Sequence, residues 1–106
     1  MAKKQTAGRD ALGEFAPKFA ELNDDVLFGE VWSREAQMSA RDRSLITCSA
    51  LMAQALFPQL EAHMKMAKQN GVTKDEMVEL ITQLAFYTGW PKAWSAFGLA
   101  KEIFKA

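Results

Sequence analysis

A single histidine, His63, lies in the stretch Pro58-Gln59-Leu60-Glu61-Ala62-His63-Met64-Lys65-Met66-Ala67. At helical spacing, Leu60, His63, Met64 and Ala67 share one face, at i, i+3, i+4 and i+7. The one side chain that titrates near neutral pH is therefore placed on an apolar stripe. Two roles fit such a position. One is a core histidine whose nitrogens are satisfied by a carbonyl or carboxylate. The other is a general acid or base whose proton affinity is set by burial. Metal ligation is not indicated, because the chain has no second histidine, no H-E-x-x-H and no cysteine pair.

Other chemistry-bearing residues are few. Cys48 sits among Leu45, Ile46, Leu51 and Met52, where a small buried hydrophobe is expected. A reactive thiolate would need a cationic neighbour or a helix N-terminus. Arg41, Asp42 and Arg43 occupy a first helical turn, suited to surface ion pairing or to holding an anionic substrate by paired hydrogen bonds. Phe86-Tyr87-Thr88-Gly89-Trp90-Pro91 gathers aromatics at a helix junction. They can pack a core or interface, or wall a pocket with the Tyr87 hydroxyl and Trp90 indole as orienting groups.

The elements that must position these residues read as helices throughout. Ser39 and Asp42 have capping-box spacing and open a helix running to about Leu56. Phe57-Pro58 ends it, since the residue before proline avoids the helical region, and Pro58 suits the first turn of the next helix. Asn70-Gly71 closes that helix. Thr73 to Glu76 is a second capping box. It opens a helix with Met77, Ile81, Leu84 and Thr88 on one face, stopped at Gly89. Pro91 starts the last helix, with apolar residues from Trp94 to Phe104. Upstream, Leu12, Phe15, Phe19 and Leu22 follow helical spacing but Pro17 interrupts them, giving one kinked helix or two short ones. Asn23 could cap a further turn or two.

The chain has 106 residues, 49% of them hydrophobic, with 13 basic and 13 acidic side chains and no net charge. One domain, residues 9–106, is expected after a flexible polar tail at residues 1–8. The charge balance offers no footprint for nucleic acid or an anionic membrane. Neither a transmembrane run nor a signal-peptide core is present, and the lone cysteine cannot form an intrachain disulfide, so a cytoplasmic protein is expected. Apolar faces wider than the roughly 100° stripe of a surface helix predict a homo-oligomer.

Taken together, Asp42 to Thr47, Leu60-Glu61-Ala62-His63, Ala67 to Thr73, Asp75-Glu76 and Ala85 to Ala93 fall in a familiar order. Over roughly residues 12–105 the chain resembles the carboxymuconolactone decarboxylase family, within the alkylhydroperoxidase D-like superfamily. The resemblance implies an all-α helical bundle of that superfamily's type, assembled as a trimer or hexamer, and no cofactor. Redox members resemble one another in a Cys-x-x-Cys pair. Aligned on His63, its positions here are Leu56 and Gln59, and neither is a thiol, so dithiol peroxidase chemistry is not expected. Decarboxylase members resemble a Glu-Leu-x-x-His pattern, matched here by Gln59-Leu60-Glu61-Ala62-His63, with Gln59 at the glutamate position. Glu61 does not substitute, because residues i and i+2 face different sides of a helix. The resemblance implies a lyase acting on a small anionic, carboxylated or lactone substrate. His63 would donate the proton, Arg43 and Gln59 would position substrate, and Tyr87 and Trp90 would wall the pocket. The competing readings are a non-catalytic small-molecule-binding oligomer of the same fold, and a one-cysteine redox protein using Cys48.

Overall fold

The computed structural model describes residues 4–105. These form the helices α1 (Ala7–Leu12) and α2 (Pro17–Glu21), a π-helix (Leu22–Val31), and then α3 (Ala40–Ala53), α4 (Phe57–Gln69), α5 (Lys74–Thr88) and α6 (Trp90–Ile103). Among the described residues there is no strand, so the expectation of an all-helical chain holds. No helix of the described residues is long and apolar enough to cross a membrane. Within the span expected as one domain, the chain divides into two compact units, Met1–Ala40 and Arg41–Ala106.

In the first unit, Pro17 separates two short helices rather than kinking one, and takes the first position of α2. Asn23 does not restart a helix. Backbone and hydrogen bonding run on from Glu21 into the π-helix, whose last turn still closes i to i+5, with Trp32 N–H donating to the Leu27 carbonyl at 2.9 Å. Asp24 and Asp25 on that element organise the unit. The buried Asp24 carboxylate accepts the backbone N–H groups of Gly8 at 2.8 Å and Arg9 at 2.9 Å. Those two donors belong to the first turn of α1, where no intrahelical acceptor exists. Thr6, the residue at the cap position, provides no side-chain bond. A carboxylate from 16 residues away therefore caps α1. That is why the helix begins at Ala7, inside the stretch expected as tail. Asp25 holds the Arg9 guanidinium through two parallel bonds of 2.9 and 2.8 Å.

Burial opposes the Asp24 charge. Hydrogen bonds from Asn23, Arg9 and Gly8, together with the Arg9 charge, outweigh it and hold the carboxyl below its usual range. The capping contribution is thus fully present above the ordinary aspartate pKa of about 3.9 and is lost as pH falls through the lowered value. The close approach also requires glycine: a Cβ at Gly8 would stand 2.7 Å from Asp24 Oδ1 and 2.9 Å from the Ala20 carbonyl oxygen. Gly8→Ala is expected to cost about 1–3 kcal/mol of local stability through overpacking. Amide hydrogen exchange should show faster opening of α1 in the variant, and in the native protein as pH is lowered below about 4.

In the second unit, one core joins all four helices. Cys48 and Met52 come from α3, Leu60, Met64 and Ala67 from α4, Met77, Ile81 and Ala85 from α5, and Ala93, Ala96 and Ala100 from α6, with Val72 and Phe104 beside them. The capping box at the start of α5 forms in both directions: Thr73 Oγ1 accepts the Glu76 N–H at 3.1 Å, and Glu76 Oε1 accepts the Thr73 N–H at 2.9 Å. Gly71 at φ 97° and Gly89 at φ 110° take backbone conformations that side chains resist, which breaks the chain after α4 and between α5 and α6. Two lysines cover helix C-termini. Lys92 Nζ donates to the Ala53 carbonyl at 3.1 Å and Lys68 Nζ to the Ile103 carbonyl at 3.0 Å.

The end of α3 differs from the sequence expectation. The helix stops at Ala53, three residues short of Leu56, and Phe57, although it precedes a proline, is already the first residue of α4. Ala55 adopts φ 58°, Leu56 N–H donates to the Leu51 carbonyl at 3.0 Å, and Ala55 N–H donates to the Met52 carbonyl at 3.0 Å. This is a left-handed termination of the kind glycine favours, made here by alanine. Ala55→Gly should therefore stabilise the protein by about 0.5–1 kcal/mol, after allowing for the greater freedom of glycine in the unfolded chain. A rise of a few degrees in Tm by calorimetry would register it.

Candidate active site

His63 follows α4 round from its buried face. Leu60, Met64 and Ala67 are fully buried, whereas His63 is half-buried. It sits on the rim of the core rather than within it. Partial burial penalises the imidazolium, so its pKa falls below the ordinary 6.5. Its Nδ1 atom is enclosed, with no hydrogen-bond partner among the described residues, and His63 takes part in a further interaction. Gln59 stands one turn earlier on the same side of the helix and is exposed.

The other residues singled out by sequence come from three different helices. Arg43 is half-buried in the first turn of α3, next to Arg41. Arg41 itself is committed to structure, bonding Asp42 at 3.3 Å and pairing with Glu76 of the α5 capping box. Tyr87 lies in the last turn of α5 and Trp90 opens α6, on either side of Gly89. Both project outward, 77% and 58% exposed, and Trp90 meets Phe86 edge-on with ring centres 5.9 Å apart. Two surface grooves of the unit are lined by other residues, and none of His63, Arg43, Gln59, Tyr87 and Trp90 takes part in either. Among the described residues no three His, Cys, Asp or Glu side chains gather as metal ligands would.

One pairing in the unit was not read from sequence. Asn70, expected only as part of the helix-closing Asn-Gly, donates from Nδ2 to Oγ of the fully buried Ser44 at 3.0 Å. It fixes the C-terminal end of α4 against the first half of α3 and satisfies a hydroxyl that would be costly to bury alone. Neither residue type announces such a long-range bond.

Cys48 is fully buried in the core, and burial pushes its thiol up to about 11. The nucleophilic thiolate is thus scarce at neutral pH, and no second cysteine exists to resolve a sulfenate. Iodoacetamide should leave the folded protein unlabelled and modify Cys48 rapidly once urea unfolds it, as read by intact mass. Fast labelling of the folded protein would contradict this placement.

A small helical bundle with one acid–base side chain on the rim of its core defines the class of site. The chain belongs to the carboxymuconolactone decarboxylase family, whose sequence profile matches residues 17–102. It is 37% identical over 94 residues to the 4-carboxymuconolactone decarboxylase of Acinetobacter baylyi, covering 89% of this chain and 69% of that protein. An uncharacterized 15.0 kDa protein of Paracoccus denitrificans is 30% identical over 82 residues, covering 76% of this chain and 60% of its own. The nitrosuccinic acid decarboxylase of Metarhizium robertsii is 33% identical over 76 residues, covering 72% of this chain and 52% of its own. The chain thus spans roughly half to two thirds of the length of these relatives.

Proposed function

We propose that this protein is a decarboxylase-type lyase for a small carboxylic acid, in which His63 delivers a proton to carbon. The observation that carries the reading is the half-buried position of His63 at the rim of the α4 core face, in a family with relatives named as decarboxylases. In such a reaction the bond to the departing carboxylate breaks. Its electron pair moves into an acceptor within the substrate, such as a conjugated lactone, and carbon dioxide leaves. The imidazolium of His63 then gives its proton to the carbon framework and is recharged from solvent. Atoms and charge balance without a cofactor.

Arg43 would hold a carboxylate that is retained, because a tight grip on the departing one would stabilise the ground state. Gln59 would orient a substrate carbonyl from one turn away. Tyr87 and Trp90 are too exposed in one chain to exclude water. Their role as pocket walls goes with assembly into a homo-oligomer, a trimer or hexamer, in which a second copy covers them. A second reading, a non-catalytic oligomer that binds a small anion, is favoured by the uncharged Gln59 where decarboxylase members resemble one another in a glutamate.

His63→Gln tests the proposal. With assembly state unchanged by light scattering, carbon dioxide release from 4-carboxymuconolactone or nitrosuccinate should fall by about 10²-fold or more. Turnover equal to the native protein would remove His63 as the donor. Native protein that binds these acids but releases no carbon dioxide would establish the second reading. The pH profile adds a signed expectation. A donor must be protonated, and the pKa of His63 lies below 6.5. Thus kcat/KM should be highest on the acid side and fall about tenfold per pH unit above that lowered value.

A further inference from the structure

The α5–α6 hairpin, closed at Gly89, is open at its other end, where Lys74 begins α5 and Phe104 follows α6. A groove of about 450 Å³ lies there, lined by Met77, Val78, Phe97, Ala100 and Phe104, with Lys74, Lys101 and Lys105 also on its wall. Its volume falls within the range of small-molecule sites. Among the described residues that line it, the groove has no carboxylate and no neutral hydrogen-bonding side chain. Its polar side chains are all cations. Lys105 is neutralised by Glu102 at 3.1 Å, whereas Lys74 and Lys101 enter no ion pair among the described residues.

We propose that this groove is a binding site, separate from His63, for a small amphipathic monoanion: an apolar chain or ring carrying one carboxylate. Two features select that chemistry together. An apolar floor without donors or acceptors favours a hydrocarbon body and penalises a polar one, whose groups would lose water without compensation. Two ammonium groups without counter-ions favour a negative head and repel a cation. Lysine suits this role, because its point charge on a flexible stem follows a head group whose exact position varies. The zero net charge of the chain gives no long-range field for a polyanion, so local complementarity is what selects the ligand.

The test uses the full chain, with the methyl groups of Met77 and Val78 observed by carbon–proton NMR during titration. Decanoate and 2-naphthoate serve as anionic probes with a chain or a ring as body. Decanol and decyltrimethylammonium are the neutral and cationic counterparts of decanoate. Saturable shifts of these methyls with at least one anionic probe are expected, with weaker effects from decanol and the weakest from the cation. The double variant Lys74→Gln/Lys101→Gln should bind the anion roughly fivefold more weakly, as two partly screened charge contacts would give. Val78→Glu, a change at a partly exposed position, should abolish binding while thermal unfolding stays cooperative. Equal binding of decanol and decanoate would overturn the proposal, as would unchanged affinity in the lysine variant. Methyl shifts that answer to protein dilution and not to any probe would overturn it too, assigning the groove to a second copy of the chain.

Discussion

Ala93, Ala96 and Ala100 leave little side-chain bulk at the most buried positions of α6, with Phe97, Leu99 and Ile103 packed at the margins, so α6 can lie close to both α4 and α5. Small residues at a crossing let backbones approach toward the short end of the usual 8–10 Å interaxial range. The space left over is filled from the other helices by flexible or branched side chains: Met52, Leu60, Met64, Met77 and Ile81 are all fully buried. This division of labour fixes the rotation of α4 about its own axis. Once Leu60, Met64 and Ala67 face inward, helix geometry sets His63 about 60° from Leu60 and about 100° from Met64 in projection, at the margin between core and solvent. Rotating α4 to bury His63 fully would turn the fully buried Met64 outward, and the core would lose apolar contact it has no other means to supply. The packing of α4 is thus enough to set the position of His63 on the helix.

The same core leaves much apolar surface unused. Phe86, Tyr87, Trp90 and Trp94 are each more than half exposed around the α5–α6 junction, and Ile46 is exposed on α3. In the first unit, Phe15 and Phe19 are also largely exposed. Large aromatics exposed together are unusual for a chain that functions alone. The wide apolar faces of the sequence pattern have their physical counterpart in these rings. A four-helix core built around alanine is too narrow to take them in.

Punctuation was the most legible part of the sequence. The Thr73–Glu76 capping box, Gly71, Gly89 and the proline at the start of each of α2, α4 and α6 each act through the one or two residues next to them. Their effect can therefore be read locally. What was not legible acts at a distance or through an unadvertised conformation. Asp24 caps α1 across 16 residues, Ser44 meets Asn70 across 26, and Ala55 adopts a left-handed backbone that nothing about alanine signals. The edge position of His63 was half legible. Its i, i+3, i+4 spacing placed it on the stripe, but spacing alone does not separate the centre of a stripe from its margin.

On the proposed reading, the uncharged Gln59 would set the electrostatic character of the His63 site. A carboxylate one turn before an imidazole would favour the protonated ring and raise its pKa, offsetting the cost of burial. The amide of Gln59 carries no charge to do so, and burial alone sets the direction for His63, which is down. A histidine in that state is a stronger acid but is protonated in fewer molecules at neutral pH. If His63 is the proposed donor, proton transfer to carbon would gain from the first effect and lose from the second, and a negative charge brought by the substrate would help to populate the acid form. In decarboxylation the substrate itself brings that charge. A bound carboxylate near His63 would raise its pKa in the complex, and the loss of carbon dioxide would leave a carbanion for the same proton to quench. With glutamine at this position, protonation of the donor would be coupled to occupancy of the site by an anion.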